Sequence, residues 1–121
     1  QFANRKFHVH NASVTLMRTT PEENQELGEE ICQKLAAAKG PVSVLLPLKG
    51  CSAIDRDGQP FADPAARAAL YNAIRRNHGG SELLEIDAHI NDEAFAKAAA
   101  GKLLELMASR SHAEAQRRGV V

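Results

Sequence analysis

The chain has 121 residues, enough for one domain of ordinary size. Fifteen Lys and Arg balance fifteen Asp and Glu, so no global field is present to hold a nucleic-acid backbone or an anionic membrane surface. Four Phe, one Tyr and no Trp are too few for base stacking, and no apolar run approaches the ~20 residues of a membrane helix.

The first residues, QFANRK, read as an interior stretch, with further polypeptide expected upstream. No charged-then-apolar leader is visible. Lys6 to His10 is a possible strand. Only Asn11 and Ala12 separate it from the next run, Ser13 to Arg18, so the two are antiparallel neighbours or one interrupted strand. Thr20 then fits a helix N-cap, Pro21 the first helical position, and Glu23 completes a capping box. Leu27, Ile31, Leu35 and Ala38 supply an apolar stripe, and Gly40-Pro41 stops the helix. Val42 to Leu46 is a continuous apolar run that suits a strand covered on both faces.

A long polar loop follows, within LLPLKGCSAIDRDGQPF (Leu45 to Phe61). Loops longer than ~12 residues inside a compact domain are usually functional or disordered. Asp63-Pro64 repeats the cap-then-proline signal and opens a helix to about Arg76, with Ala66, Leu70 and Ile74 inward. After His78-Gly79-Gly80, Leu83 to Ile86 is the next strand. Asn91 or Asp92 caps a last helix with Phe95, Leu103, Leu106 and Met107 among its apolar positions. Residues 109–121 read as a polar tail. Cys32 lies among Ile31, Leu35 and Ala36 as a small core residue, and Cys51 is not at metal-ligand spacing from it. Two scattered cysteines point to a reduced, cytoplasmic protein.

Strands alternating with helices imply α/β architecture: a Rossmann-like three-layer α/β/α domain with a small, mostly parallel sheet. Residues 1–121 form one such domain, expected to be the C-terminal subdomain of a longer protein. In a parallel sheet the strand C-terminal ends share one edge, where ligands bind. Three polar segments should therefore converge: Arg18-Thr19-Thr20, Lys49 to Asp55, and Asp87 to Asn91.

Each segment has a chemical and a purely structural reading. Arg18, Thr19 and Thr20 before a helix N-terminus suit an anion; alternatively Thr20 only caps, and Arg18 pairs with Glu22 or Glu23. Lys49-Gly50-Cys51-Ser52 offers an amine, a flexible backbone and a hydroxyl, without the GxxxxGK[ST] spacing of a phosphate loop. Its plainer reading is a solvated loop whose Gly takes a special backbone conformation. Cys51 beside His89 lacks the signature of a nucleophile. His8 and His10 share a strand face at metal-ligand spacing, with Asp55, Asp87 and His89 able to complete a site, but Arg18 nearby opposes a cation and no metal is expected. Asp87 and His89 alternate and could act as an acid–base pair.

The stretches HNASVTLMRTTPEEN, PVSVLLPLKGCSAIDRDGQPFADPAA and DAHINDEAFA together resemble the C-terminal half of a large uncharacterised protein family. That family includes bacterial proteins of unknown function and the ATP-binding domain of the tomato mosaic virus resistance protein. The resemblance implies two Rossmann-like subdomains in the whole protein, of which this is the second. It also implies ATP or a related nucleotide as ligand and assembly as a homo-oligomer. The matching positions are Arg18, Thr19, Thr20, Gly50, Ser52, Ala53, Asp55, Gly58, Gln59, Pro60, Phe61, His89, Asn91 and Asp92. Lys49 and Cys51 depart from the family pattern, which favours Gly and an aliphatic residue there.

The expected function is therefore a subdomain of an ATP-binding protein of unknown activity, lining an interdomain cleft completed by the missing N-terminal half. Arg18, Thr19, Thr20, Gly50, Ser52, Asp55, His89 and Asn91 would bind the ligand. A second reading is a hydrolase or lyase for a small carboxylate or acyl substrate, with His89 and Asp55 moving protons. A third is a ligand-free interaction module with an apolar patch at Phe61 and Ala62.

Overall fold

The structure is a computed structural model that describes residues 2–117 and 119. Strands β1 (Phe7–Asn11) and β2 (Val14–Met17) form an antiparallel hairpin, Phe7 opposite Met17 and Val9 opposite Thr15. Its turn is closed by the Ser13 N–H donating to Asn11 Oδ1 at 2.9 Å. The helix α1 (Pro21–Ala36) starts where the capping box places it. The Glu23 N–H donates to Thr20 Oγ1, and the Glu23 carboxylate accepts from the Thr20 N–H.

Next come β3 (Ser43–Pro47), a single 3-10 turn at Ala53–Asp55, α2 (Pro64–Asn77), β4 (Glu82–Ile86) and α3 (Glu93–Arg117). Asp63 caps α2 by accepting from the Ala66 N–H. Strands β3 and β4 are parallel, with Ser43 opposite Glu82 and Leu46 opposite Glu85. The architecture is thus mixed α/β, with three helices and two small sheets, one of them parallel. Among the described residues no helix is long and apolar enough to cross a membrane.

The core lies between the parallel pair and helices α1 and α2. Cys32, Leu46, Tyr71 and Ile74 are its buried members, with Val44, Leu48, Leu70 and Leu83 packed around them. Val44 and Leu46 in β3 and Leu48, one residue past its end, alternate along the chain, which puts all three on one face. Leu83 joins them from its place opposite Val44.

Three expectations change. The first core strand does not join the parallel sheet: β2 pairs with β1 in a separate two-stranded sheet. A two-residue turn makes β1 its nearest partner. The inward face of α1 is also rotated. Asn24, Gly28 and Cys32 are buried, whereas Leu27 and Ile31 are 43% and 39% exposed. The cause is close packing of α1 on α2: a Cβ on Gly28 would lie 2.6 Å from the Ala73 Cβ. Helices that approach this closely meet through their smallest side chains. Finally, α3 continues to Arg117, through residues read as a polar tail; residues 118, 120 and 121 lie outside the described residues.

Candidate functional site

The β3–β4 ladder continues beyond the strands and fastens two of the polar segments together. Leu48 N–H donates to the Ile86 carbonyl at 2.9 Å, Lys49 N–H to Ala88 at 3.0 Å, and Ile90 N–H to Gly50 at 3.0 Å. Gly50 has φ of +126°, a conformation that L side chains avoid. A Cβ there would meet His89 Cδ2 at 3.0 Å and Asp55 Oδ2 at 3.4 Å.

His89 is fully buried. Its Nε2 lies 2.8 Å from the Ser52 carbonyl, and its Nδ1 is 3.1 Å from the Asn91 N–H. A carbonyl needs a donor and an N–H needs an acceptor, so the bonding pattern assigns the proton to Nε2. Both nitrogens are then occupied by backbone, and neither can exchange a proton without losing one of these bonds. The His89 ring thus ties Ser52 of the long loop to Asn91 at the entry to α3. The expected Asp87–His89 pairing is absent: Asp87 is exposed while His89 is buried. Instead Asp92 Oδ2 accepts from the His89 N–H at 2.9 Å, and Asp92 Oδ1 from Arg56 at 3.1 Å. These bonds, the His89 backbone contact first, hold the Asp92 carboxyl below its ordinary range.

Arg18 brings in the third segment. Its Nη2 donates to Asp55 Oδ1 at 3.1 Å, its Nε to the Phe61 carbonyl at 3.1 Å, and its Nη1 to Thr19 Oγ1 at 3.2 Å. Arg67 approaches the same carboxylate at 3.8 Å and donates to the Asp55 carbonyl at 3.3 Å. The Cys51 N–H donates to Asp55 Oδ2 at 3.2 Å. Asp55 is therefore the hub of the loop, a buried carboxylate between two arginines. Removing one partner of such a group costs about 3–5 kcal/mol, because a charge is left uncompensated.

Arg18 pairs with Asp55 rather than with Glu22 or Glu23. Glu23 is taken by Arg5, whose Nη2 reaches its Oε1 at 2.6 Å and the Arg18 carbonyl at 2.7 Å. The Thr20 backbone N–H, then Arg5, keeps the Glu23 carboxyl below its ordinary range. Asn4, Arg5, Lys6, Arg18, Thr19, Thr20, Pro21 and Asp63 line a recess of about 130 Å³ at the start of α1. Arg5 Nε, buried beside it, has no hydrogen-bond partner among the described residues.

All eight expected site residues thus lie at one end of the fold, with distinct duties. Thr20 caps α1; Asp55, His89 and Gly50 hold the loop's shape; Ser52 and Asn91 engage His89 through backbone atoms. Ser52 Oγ additionally accepts from the Ile54 N–H. Cys51 Sγ sits 3.0 Å from Tyr71 Oη, not beside His89. Tyr71 donates to the Pro47 carbonyl at 2.6 Å, so the Cys51 thiol is the donor to the phenol oxygen. Burial, then the Cys51 contact, pushes the Tyr71 hydroxyl pKa far upward.

His8 packs edge-on against Phe61, with ring centroids 6.0 Å apart, while His10 is exposed. Among the described residues no three His, Cys, Asp or Glu side chains gather as a metal site. Phe61 is buried, so the apolar patch expected of a ligand-free module does not form there. Arg5, Arg67 and Tyr71 were missed by sequence reasoning. Arg67 and Tyr71 lie one helical turn apart in α2, a spacing that directs both to the same side, toward the loop. Arg5 carries no local signal.

A family model described as the uncharacterised protein family UPF0261, C-terminal domain, matches residues 1–107. The chain is 44% identical over 109 residues to a UPF0261 protein of Clostridium tetani, covering 88% of this chain and 27% of that protein. To a UPF0261 protein of Rhizobium meliloti it is 44% identical over 102 residues, covering 82% of this chain and 26% of that protein. To the ToMV resistance protein Tm-1 of Solanum lycopersicum it is 39% identical over 119 residues, covering 96% of this chain and 16% of that protein. The chain therefore spans about a quarter of the length of these bacterial relatives and less of the plant one.

Proposed function

This chain belongs to the UPF0261 family, as its C-terminal domain, and on that premise we propose that it supplies one wall of a nucleotide-binding cleft. The ligand is ATP or a related nucleotide, and its phosphates lie in the recess at the start of α1. The observation that carries this reading is the concentration of Arg5, Lys6 and Arg18, against the single carboxylate of Asp63 that lies 3.7 Å from Lys6, around a concavity of about 130 Å³. Guanidinium groups fixed by other contacts keep further N–H donors for phosphate oxygens without an ordering cost. The Thr19 hydroxyl, which accepts from Arg18, keeps its proton to donate. Asp55 fixes Arg18 for this role by accepting from its Nη2 at 3.1 Å. The catalytic alternative is disfavoured by the commitment of both His89 nitrogens to backbone.

The test is calorimetric titration of ATP into the complete polypeptide that carries this chain. Lys6 is exposed, and its contacts to the Ala62 carbonyl at 3.2 Å and to Asp63 at 3.7 Å are surface ones worth about 1 kcal/mol or less, so Lys6→Glu should preserve the fold. It should weaken ATP about tenfold, a change of about 1.4 kcal/mol. Unchanged affinity would remove the recess from consideration, and absence of ATP binding by the parent protein would remove the nucleotide.

A further inference from the structure

Strand β3 has the composition of an interior strand but only one neighbour. The run Val42 to Leu48 holds no charged residue, whereas β4 carries Glu82 and Glu85, three positions apart and so on opposite faces. Charged side chains mark a strand kept at the edge of a sheet. A continuous apolar run marks one flanked and covered on all sides. Yet Val44 and Leu45 are only half-buried, and among the described residues β3 pairs with β4 alone. The Val42 carbonyl accepts from the Glu82 N–H at 3.2 Å, and the Leu48 N–H donates to the Ile86 carbonyl at 2.9 Å. The even-numbered residues of β3 therefore face β4, and the N–H and C=O groups of Ser43 and Leu45 line the open edge. Pro47 ends that edge: it has no N–H, and its carbonyl accepts from Tyr71 at 2.6 Å.

The helices show that a strand belongs there. On one face of the sheet, Val44, Leu46, Leu48 and Leu83 pack against Cys32 of α1 and Tyr71 and Ile74 of α2. On the other, Glu82 accepts from Lys102 of α3 at 3.1 Å. Helix α2 carries the chain from β3 to β4, and α1, packed on α2, delivers it to β3. Crossovers between parallel strands are right-handed, so strands joined through helices on one face advance in one direction. A strand preceding α1 would therefore lie on the far side of β3 from β4. The strand that does precede α1 is β2, and it is taken up in the hairpin with β1. After β4 the chain turns back, and α3 touches β3 from the opposite face, toward the same vacant side.

We propose that the open edge of β3 receives a parallel, apolar β-strand from the part of the same polypeptide that lies outside residues 1–121. Length identifies the source: the chain covers 27% and 26% of its two bacterial relatives, so most of such a protein lies beyond it. The direction follows from the sheet, which has helices on both faces as parallel sheets do. Strand β3 of a second copy, set across a two-fold axis, would instead run antiparallel. Running parallel, the added strand ends level with Pro47, and the loop after it joins Lys49 to Asp55 at the polar end of the fold. The pairing does not depend on the nucleotide reading, since it rests on backbone groups alone.

Two measurements on the complete polypeptide test this. Amide hydrogen exchange should find Leu45 as protected as Leu46, which faces β4. An unpaired edge would let Leu45 exchange about a hundredfold faster or more, and that result would overturn the proposal. The partner is read with a photo-reactive diazirine side chain placed at Ser43 or at Lys49, in an equal mixture of isotopically light and heavy protein. Mass spectrometry should find cross-links within single chains to one apolar segment outside residues 1–121. The product from Lys49 should lie nearer the C-terminal end of that segment than the product from Ser43. Light–heavy products would assign the edge to a second copy, the reverse order would make the pairing antiparallel, and products confined to residues 1–121 would leave no added strand; each of these overturns the proposal.

Discussion

Replacing Gly50 by alanine tests the junction of the three segments at its tightest point. Two penalties add. The φ of +126° is strained for any L side chain, at about 1–3 kcal/mol. The new methyl would also lie 3.0 Å from His89 Cδ2 and 3.3 Å from its Nε2. That ring cannot retreat, because both its nitrogens are bonded to backbone; overpacking of this kind typically costs about 1–3 kcal/mol. The expected loss is about 2–6 kcal/mol from the two together. Gly58 is the control. Its φ is +83° and nothing lies within 4 Å of a built Cβ, so Gly58→Ala isolates the backbone strain. Urea unfolding of both variants, followed by circular dichroism, separates the two contributions. If Gly50→Ala costs no more than Gly58→Ala, the contact with His89 is not tight and the account of the junction fails.

Gly28→Ala should destabilise by about 1–3 kcal/mol, and Ala73→Gly in the same chain should recover more than half a kcal/mol of coupling in a double-mutant cycle. Additive effects would show that α1 and α2 do not touch there. His89→Ala should cost about 3 kcal/mol, because it opens a cavity and strands the Ser52 carbonyl and Asn91 N–H. Hydrogen exchange at the Asn91 amide should speed up more than at Leu45 in the core strand; equal protection would refute the tether. Glu23 and Asp92 have folded pKa values lowered from ordinary values of 4.5 and 3.8. Their contribution to stability is therefore full above those values and is lost as pH falls through the lower folded ones. Urea midpoints measured from pH 5 downward should fall less steeply in Glu23→Gln than in the parent, and parallel curves would contradict the capping-box assignment.

Local chemistry made much of the molecule legible. Thr20-Pro21-Glu23 and Asp63-Pro64 start their helices as read, because a cap depends on side chains within one turn of the backbone they satisfy. The order of strands and helices followed from apolar runs and breakers. The convergence of Gly50, Asp55 and His89 at one end was also foreseeable, since strand polarity places the loops after β3 and β4 on one edge; Arg18 arrives from a separate hairpin, through its bonds to Asp55 and the Phe61 carbonyl. Their duties were not. Arg18 has two acidic residues within five positions in sequence, Glu22 and Glu23, yet its partner is Asp55, 37 positions away.

What the sequence by itself determined was therefore the set of elements, the starts of α1 and α2, and the edge that carries the polar loops after β3 and β4. Only the tertiary structure decided that β2 pairs with β1, that α1 buries Asn24, Gly28 and Cys32 in place of Leu27 and Ile31, and that His89 is a buried tether. The reason is range. Capping and periodicity are settled over a few residues, whereas helix–helix approach at Gly28 and Ala73, and the sharing of Asp55 between Arg18 and Arg67, depend on atoms brought together only by the completed fold.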